Sequence, residues 1–262
     1  PPSGAILRSA VVTVAWPGVV DDWFNLLNLG YRFVGVGTGD SHTGFDEPGQ
    51  FRTMVYVGVD EAQRVDSRRV VDGLRSRRVV ATNGPLIDFW VNDPVSGVMG
   101  QTVRDDDGTV RLGYSLTSAP WISVERLHIY RNGVIALKRE IDPDRDLAAD
   151  PLREEVELEL ARDGQGNPID SWFVIEVIGY RSMHPVIRTV EVPPVLLTDA
   201  LASLAGPLGL ANDEFGDLRP PEVFPVTAYA ITNPTWVTTH GGEFQPPGLV
   251  PLAIQDRPEN DP

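Results

Sequence analysis

Asp40-Ser41-His42 is the part of this chain best suited to chemistry. A carboxylate and an imidazole two residues apart, at the end of an extended stretch, face the same way and can reach one divalent ion together. The residues before them, Phe33-Val34-Gly35-Val36-Gly37-Thr38-Gly39, turn from apolar to small. They predict a buried strand over 33–36, followed by a loop whose small residues let backbone approach an ion closely. Two ligands do not make a metal site, so any companions come from elsewhere in the chain or from outside it. The competing reading is a surface turn in which Asp40 caps backbone N–H groups and His42 is incidental.

Other residues invite weaker readings. Arg52 lies on the next predicted strand, and two roles stay open for it. Its fork of donors suits an anionic substrate oxygen, or it pairs with a loop carboxylate such as Asp46 or Glu47. Asn83, in Thr82-Asn83-Gly84-Pro85, could line a site, but a turn explains Asn-Gly-Pro without function. His128 sits within a predicted strand and reads as structural, and His184 precedes Pro185 in a loop without a nearby carboxylate. His240 reaches a site only if the tail folds back. Asp105-Asp106-Asp107-Gly108 resembles the start of a calcium loop but lacks the closing Glu, so it reads as a solvated hairpin turn. Neither a Gly-x-Ser-x-Gly elbow nor a P-loop is present.

The elements that must position these residues are legible in outline. Residues 21–30 predict a short helix, acidic at its start and stopped by Gly30 at C′. Met54 to Val57 predicts a strand. Asp66 is placed to cap a helix over 67–76 with Val70, Val71 and Leu74 on its apolar face. Strand, loop, strand, helix is an α/β order.

From about residue 86 the pattern becomes strand after strand: Val110 to Leu116, Arg126 to Tyr130, Val134 to Lys138, Val156 to Leu160 and Trp172 to Ile178. Asn132-Gly133 is a two-residue hairpin signal, and Glu155 to Leu160 alternates strictly. Residues 86–194 therefore predict a β-sandwich. Residues 195–262 form a Pro/Gly-rich tail, with a helix candidate at Thr198 to Leu204 and a strand-like run at Val226 to Ile231. Such a tail is expected to pack on both preceding units.

Composition narrows the partners. With 22 basic against 37 acidic residues and a net charge of −15, the chain is poorly matched to nucleic acid. It has no cysteine, which excludes disulfides, thiolate zinc sites and a thiol nucleophile. No run of about 18 apolar residues predicts a membrane span. The chain reads as soluble, with no compartment assigned and export of a bacterial-type protein left open. It begins without Met, as expected of part of a longer protein.

Beyond single motifs, a longer pattern is present. Asp22-Trp23-Phe24-x-Leu26-Leu27-Asn28-x-Gly30-Tyr31, then Val36-Gly37-Thr38-Gly39-Asp40-Ser41-His42-Thr43, resembles the closing part of a PHP (polymerase and histidinol phosphatase) metallohydrolase domain of the CehA/McbA-type branch. Phe51 to Val57, Leu74 to Pro85, Asp170 to Val174 and Ala230 to Val237 are similar to later segments of that branch. The resemblance implies an α/β plus all-β chain. Residues 1–85 would close a distorted β/α barrel, and the sandwich and wrapping tail would follow. It also implies up to three divalent ions (zinc, manganese or iron) in the complete domain, with Asp40 and His42 as the last ligand pair and a small-molecule ester as substrate. The His-x-His that opens such sites is missing, since no histidine precedes His42. The remaining ligands would lie in an N-terminal part of the same enzyme, and an apolar face is expected on residues 1–85 where that part would pack. A non-catalytic binding or assembly module, sandwich plus tail, is the alternative from another class.

Overall fold

The computed structural model describes residues 6–8, 13–15, 18–39, 49–192 and 222–248. Strands dominate. β1 (Ile6–Arg8) and β2 (Thr13–Ala15) pair with each other and precede α1 (Val19–Asn28). Then come β3 (Arg52–Val55), α2 (Ser67–Arg75) and β4 (Val79–Thr82). β5 (Leu86–Val91), β6 (Thr102–Arg104), β7 (Thr109–Thr117), β8 (Arg126–Arg131) and β9 (Val134–Glu140) follow. β10 (Leu152–Glu159) and β11 (Ser171–Ser182) precede β12 (Val190–Val192), which pairs β13 (Glu222–Phe224). β14 (Thr227–Thr232) and β15 (Thr235–Thr238) complete the order. The predicted helix at Thr198 to Leu204 lies outside the described residues.

Two sheets make a sandwich. β10, β7 and β5 form the smaller one, antiparallel throughout. The larger is built on β11, which pairs β8 (and through it β9) along one edge. Along its other edge lie β14 and β15, end to end. β14 pairs β4, which pairs β3, and β15 pairs β6. This sheet thus draws strands from before residue 86 and from the tail as well as from between. The core between the sheets holds Phe89, Leu112 and Leu116 from one side and Leu127, Ile129, Phe173 and Ile175 from the other.

Local signals explain much of this. In β10 Glu155, Glu157 and Glu159 stay at the surface while Leu152 and Leu158 are buried, as the alternation predicts. Asn132 (φ 51) and Gly133 (φ 82) both take the left-handed conformation that a tight β8–β9 turn requires. β11 is buried on both faces. Phe173, Ile175 and Val177 enter the sandwich, while Trp172 and Val174 point to the outer face, which explains its near-continuous apolar run.

α1 covers that outer face. Phe24 packs on Tyr130 and Trp172, with ring centroids 4.9 and 5.1 Å apart, and Leu27 is fully buried beside them. Each such side chain removed from water contributes about 2 kcal/mol. Asn28 fixes the helix in register: its amide donates to Asn132 O at 3.0 Å and accepts from the Trp172 indole at 2.8 Å.

Three local expectations change. Asp66 caps α2 through the Arg69 N–H as predicted, at 2.9 Å, but the predicted apolar face is weak, with Val71 41% exposed. The helix is held instead by Gly73, where a Cβ would lie 2.5 Å from Val55 Cγ1 and 2.6 Å from Tyr56 O. The acidic turn at 105–108 is not a hairpin, because β6 and β7 belong to different sheets. Asp105 is buried there and accepts from Gly108 N at 2.8 Å and Asn92 Nδ2 at 3.1 Å, so it ties the crossing together. The third change, at residues 33–36, concerns the delivery of the Asp-x-His motif. No helix among the described residues is long and apolar enough to cross a membrane.

Candidate functional site

Asp40 and His42, with Asp46 and Glu47, lie outside the described residues; the segment that leads to them does not. α1 ends in a closed turn. Gly30 (φ 90) donates to Leu27 O and Tyr31 N donates to Leu26 O, both at 3.0 Å. From there residues 31–39 run without strand pairing, so the predicted buried strand over 33–36 is absent, and Phe33 and Val36 are exposed.

The backbone of this segment is satisfied by side chains in place of a ladder. Arg77 Nε donates to Arg32 O at 2.6 Å, and the Trp23 indole donates to Phe33 O at 3.1 Å. Asn233 serves Gly35 twice at 2.8 Å, accepting from its N–H and donating to its C=O, and also donates to Val79 O at 2.9 Å. The Thr53 hydroxyl accepts from Gly37 N at 3.1 Å and donates to Gly37 O at 2.7 Å. A side-chain amide offers the same donor and acceptor as a peptide group, so these contacts replace a neighbouring strand.

The glycines have a use other than the expected one. A Cβ on Gly37 would sit 3.1 Å from both Ala81 Cβ and Arg52 O, and one on Gly35 would sit 3.0 Å from the Trp23 ring. Close approach here is to the sheet and to Trp23.

The register of the large sheet gives the direction of travel. Gly35 is tied beside Val79 through Asn233, and Gly37 lies over Ala81, so the chain heads toward Thr82. Thr82 pairs with Arg52 on β3 and Ala230 on β14. Arg52 stands exposed at that sheet end, with Nη1 donating to Gly49 O at 3.3 Å. Asn83 is occupied structurally: it donates to Thr227 O and accepts from Tyr229 N, each at 2.7 Å.

Beside it lies a buried polar cluster that sequence reasoning missed. One cross-strand row runs Thr53, Ala81, Ile231, Glu176, His128. Two strand spacings, about 10 Å, therefore separate Ala81 from Glu176. Glu176 is 1% exposed and accepts from the Tyr130 hydroxyl at 2.6 Å and the Tyr229 hydroxyl at 2.7 Å. His128 is fully buried with Nδ1 3.5 Å from Glu176 Oε2, and neither ring nitrogen has a hydrogen-bond partner among the described residues. The signal was a lone carboxylate inside the apolar run from Trp172 to Ile178.

The remaining candidates are scattered. His184 and His240 are exposed. A hollow of about 330 Å³ on the outer face of the smaller sheet, lined by Asp88, Trp90, Ser115 and Arg153 among others, belongs to other strands than this sheet end. Among the described residues no group of three or more His, Cys, Asp or Glu is placed to hold a metal ion. Comparison with known protein families, curated proteins and solved structures returned no match.

Proposed function

We propose that the chain is the C-terminal part of a metal-dependent hydrolase of the PHP superfamily, acting on a phosphoester or other ester-like bond. Asp40 and His42 are its metal ligands, and Arg52 binds an anionic oxygen of the substrate. The reading is supported by the resemblance around Asp40-Ser41-His42. It is supported further by the clamped 31–39 segment, whose Gly37 lies against Ala81 and the Arg52 carbonyl.

Carboxylate and imidazole donors suit zinc, manganese or iron. They are two, however, where a catalytic zinc centre takes three protein ligands, and the described residues supply no ready cluster. The reading therefore assigns the other ligands to an N-terminal part of the same enzyme. When bound, such ions activate water and polarise the scissile group. This chain's own contribution is positional: the Asn233 and Thr53 contacts seat Gly35 and Gly37, which precede the loop, and Arg52 offers a charged fork. The test is metal content and phosphodiester hydrolysis of the protein with its upstream residues, wild type against Asp40→Ala and His42→Ala. Loss of both supports the reading; unchanged metal and activity overturn it.

A second reading, a binding or assembly module without activity, is favoured by one observation. Tyr31 and Phe33 stack on each other at 5.5 Å while each is more than half exposed, and Met54 and Tyr56 are exposed on β3 and just beyond it. A protein that stays metal-free with the upstream residues present decides for the module.

A further inference from the structure

Arg32 and Arg77 are two cations brought together without an anion among the described residues. The Arg32 guanidinium lies 4.5 Å from the centroid of the Trp236 ring and 5.8 Å from that of Phe244, and the Arg77 guanidinium lies 5.8 Å from the same Trp236 ring. They are also joined through the backbone, since Arg77 Nε donates to Arg32 O. Both side chains are half-buried. Several arginines of this acidic chain take carboxylates, as in Arg104–Asp106 at 2.7 Å, Arg126–Glu140 at 2.9 Å and Arg181–Asp144 at 2.7 Å. Among the described residues Arg32 and Arg77 take none. Arg32 Nη1 donates to Thr102 Oγ1 at 3.1 Å, and Arg77 Nη1 donates to Arg75 O at 3.2 Å near the C-terminus of α2. The Trp236 ring and the helix-end carbonyl offset part of the charge. They do not neutralise two guanidinium ions. Burial pulls both below the ordinary arginine pKa, and at Arg32 the Arg77 charge adds to it.

We propose that the place where Arg32 and Arg77 converge on Trp236 is a binding site for a phosphate-type dianion, free or as a monoester. The guanidinium N–H groups not taken by Thr102 Oγ1, Arg32 O and Arg75 O are left for tetrahedral oxygens, and a charge of −2 matches the two positive charges where a single carboxylate leaves one unmatched. The indole beneath holds both forks at fixed places and keeps water from one side. The site does not rest on the hydrolase reading, because none of its residues belongs to the Asp40 loop.

The experiment titrates inorganic phosphate into the metal-free chain at constant ionic strength with chloride as the balancing anion, following heat and thermal midpoint. Saturable one-to-one binding is expected, with chloride inert. Arg32→Gln and Arg77→Gln should each weaken it roughly tenfold or more, the loss of one charge-assisted contact. Where a Gln variant does not fold, Arg32→Lys and Arg77→Lys carry the test. They keep the charge but lose the fork, and should weaken binding measurably. Lowering the pH from about 8 to about 5.5 converts phosphate to the monoanion and should weaken it, while sulfate, a dianion throughout, should hold its affinity. Phenyl phosphate binding more tightly than phosphate assigns the site to a monoester; equal affinity assigns it to the free ion. Absence of saturable binding, or Arg variants that bind as wild type does, overturns the proposal.

Discussion

Replacing Asn233 by Ala tests whether side-chain amides really seat the segment that carries the Asp-x-His motif. Asn233 is 1% exposed and makes three contacts with main chain, two with Gly35 and one with Val79 O. Val79 O keeps a second donor, the Asn233 backbone N–H at 3.2 Å, so its loss is small. The Gly35 N–H and C=O lose the Asn233 amide and must find water in a half-buried setting. At about 1 kcal/mol per net hydrogen bond, with a further penalty for groups left poorly solvated, the cost is about 2–3 kcal/mol. For a chain of this size that lowers the melting midpoint by roughly 5–10 °C. Thr53→Val, which removes the two contacts with Gly37 at nearly constant shape, should cost about 1 kcal/mol alone. In the Asn233→Ala background it should cost less, because a segment already released has less to lose. Hydrogen exchange of peptides covering 31–39 gives the local readout: protection of Gly35 and Gly37 should fall in both single variants while β11 keeps its own. Additive costs with unchanged exchange at 31–39 would refute the clamp, and so would an Asn233→Ala midpoint within about 1 °C of wild type.

Gly73→Ala should reverse the usual rule. In an exposed helix interior the change gains about 1 kcal/mol, but here the added Cβ meets Val55 and the Tyr56 carbonyl, so a loss of about 1–3 kcal/mol is expected in urea unfolding. Tyr130→Phe deletes the shorter donor to Glu176 and should cost about 1.5–3 kcal/mol, read as a lowered melting midpoint. Asp163 is pulled below the ordinary carboxylate range by the Asn167 N–H and side chain, and Asp93 by the Ser96 and Val95 N–H groups. A depressed folded pKa gives stability that is present above the unfolded value and lost as pH falls through the folded one. Asp163→Asn should therefore flatten the fall in melting midpoint as pH drops below the ordinary Asp range, the difference from wild type being largest above that range.

What the sequence made legible was local. Helix ends at Asp66 and Gly30, the Asn132-Gly133 turn and the alternation of β10 each depend on residues within a few positions, and each is found in place. The mainly β, two-sheet character followed from the same signals. The run from Phe33 to Val36 looked like a strand because an apolar, β-branched stretch reads alike whether its peptide groups meet a ladder or side chains. The partner that decides the matter, Asn233, is 198 positions away from Gly35. Sequence distance also hid the Glu176 cluster: Tyr130, Tyr229 and His128 are unremarkable until strand pairing aligns them. Nor could composition show that β6, β14 and β15 complete the sheet that covers α1, since short strands acquire partners only through long-range register.

The clamped segment bears on both proposed sites. Arg32 stands near its start, over Trp236, and Gly37 lies further on, against Ala81. Five chain steps separate the two. On the proposed reading the Arg32–Arg77 site shares no residue with the Asp40 loop or with Arg52, which pairs in register with Thr82 on β4. A substitution at Arg77 should then change phosphate binding without removing catalysis, whereas one at Arg52 should do the reverse. Their shared dependence on the seating of residues 31–39 means that Asn233→Ala alone disturbs both.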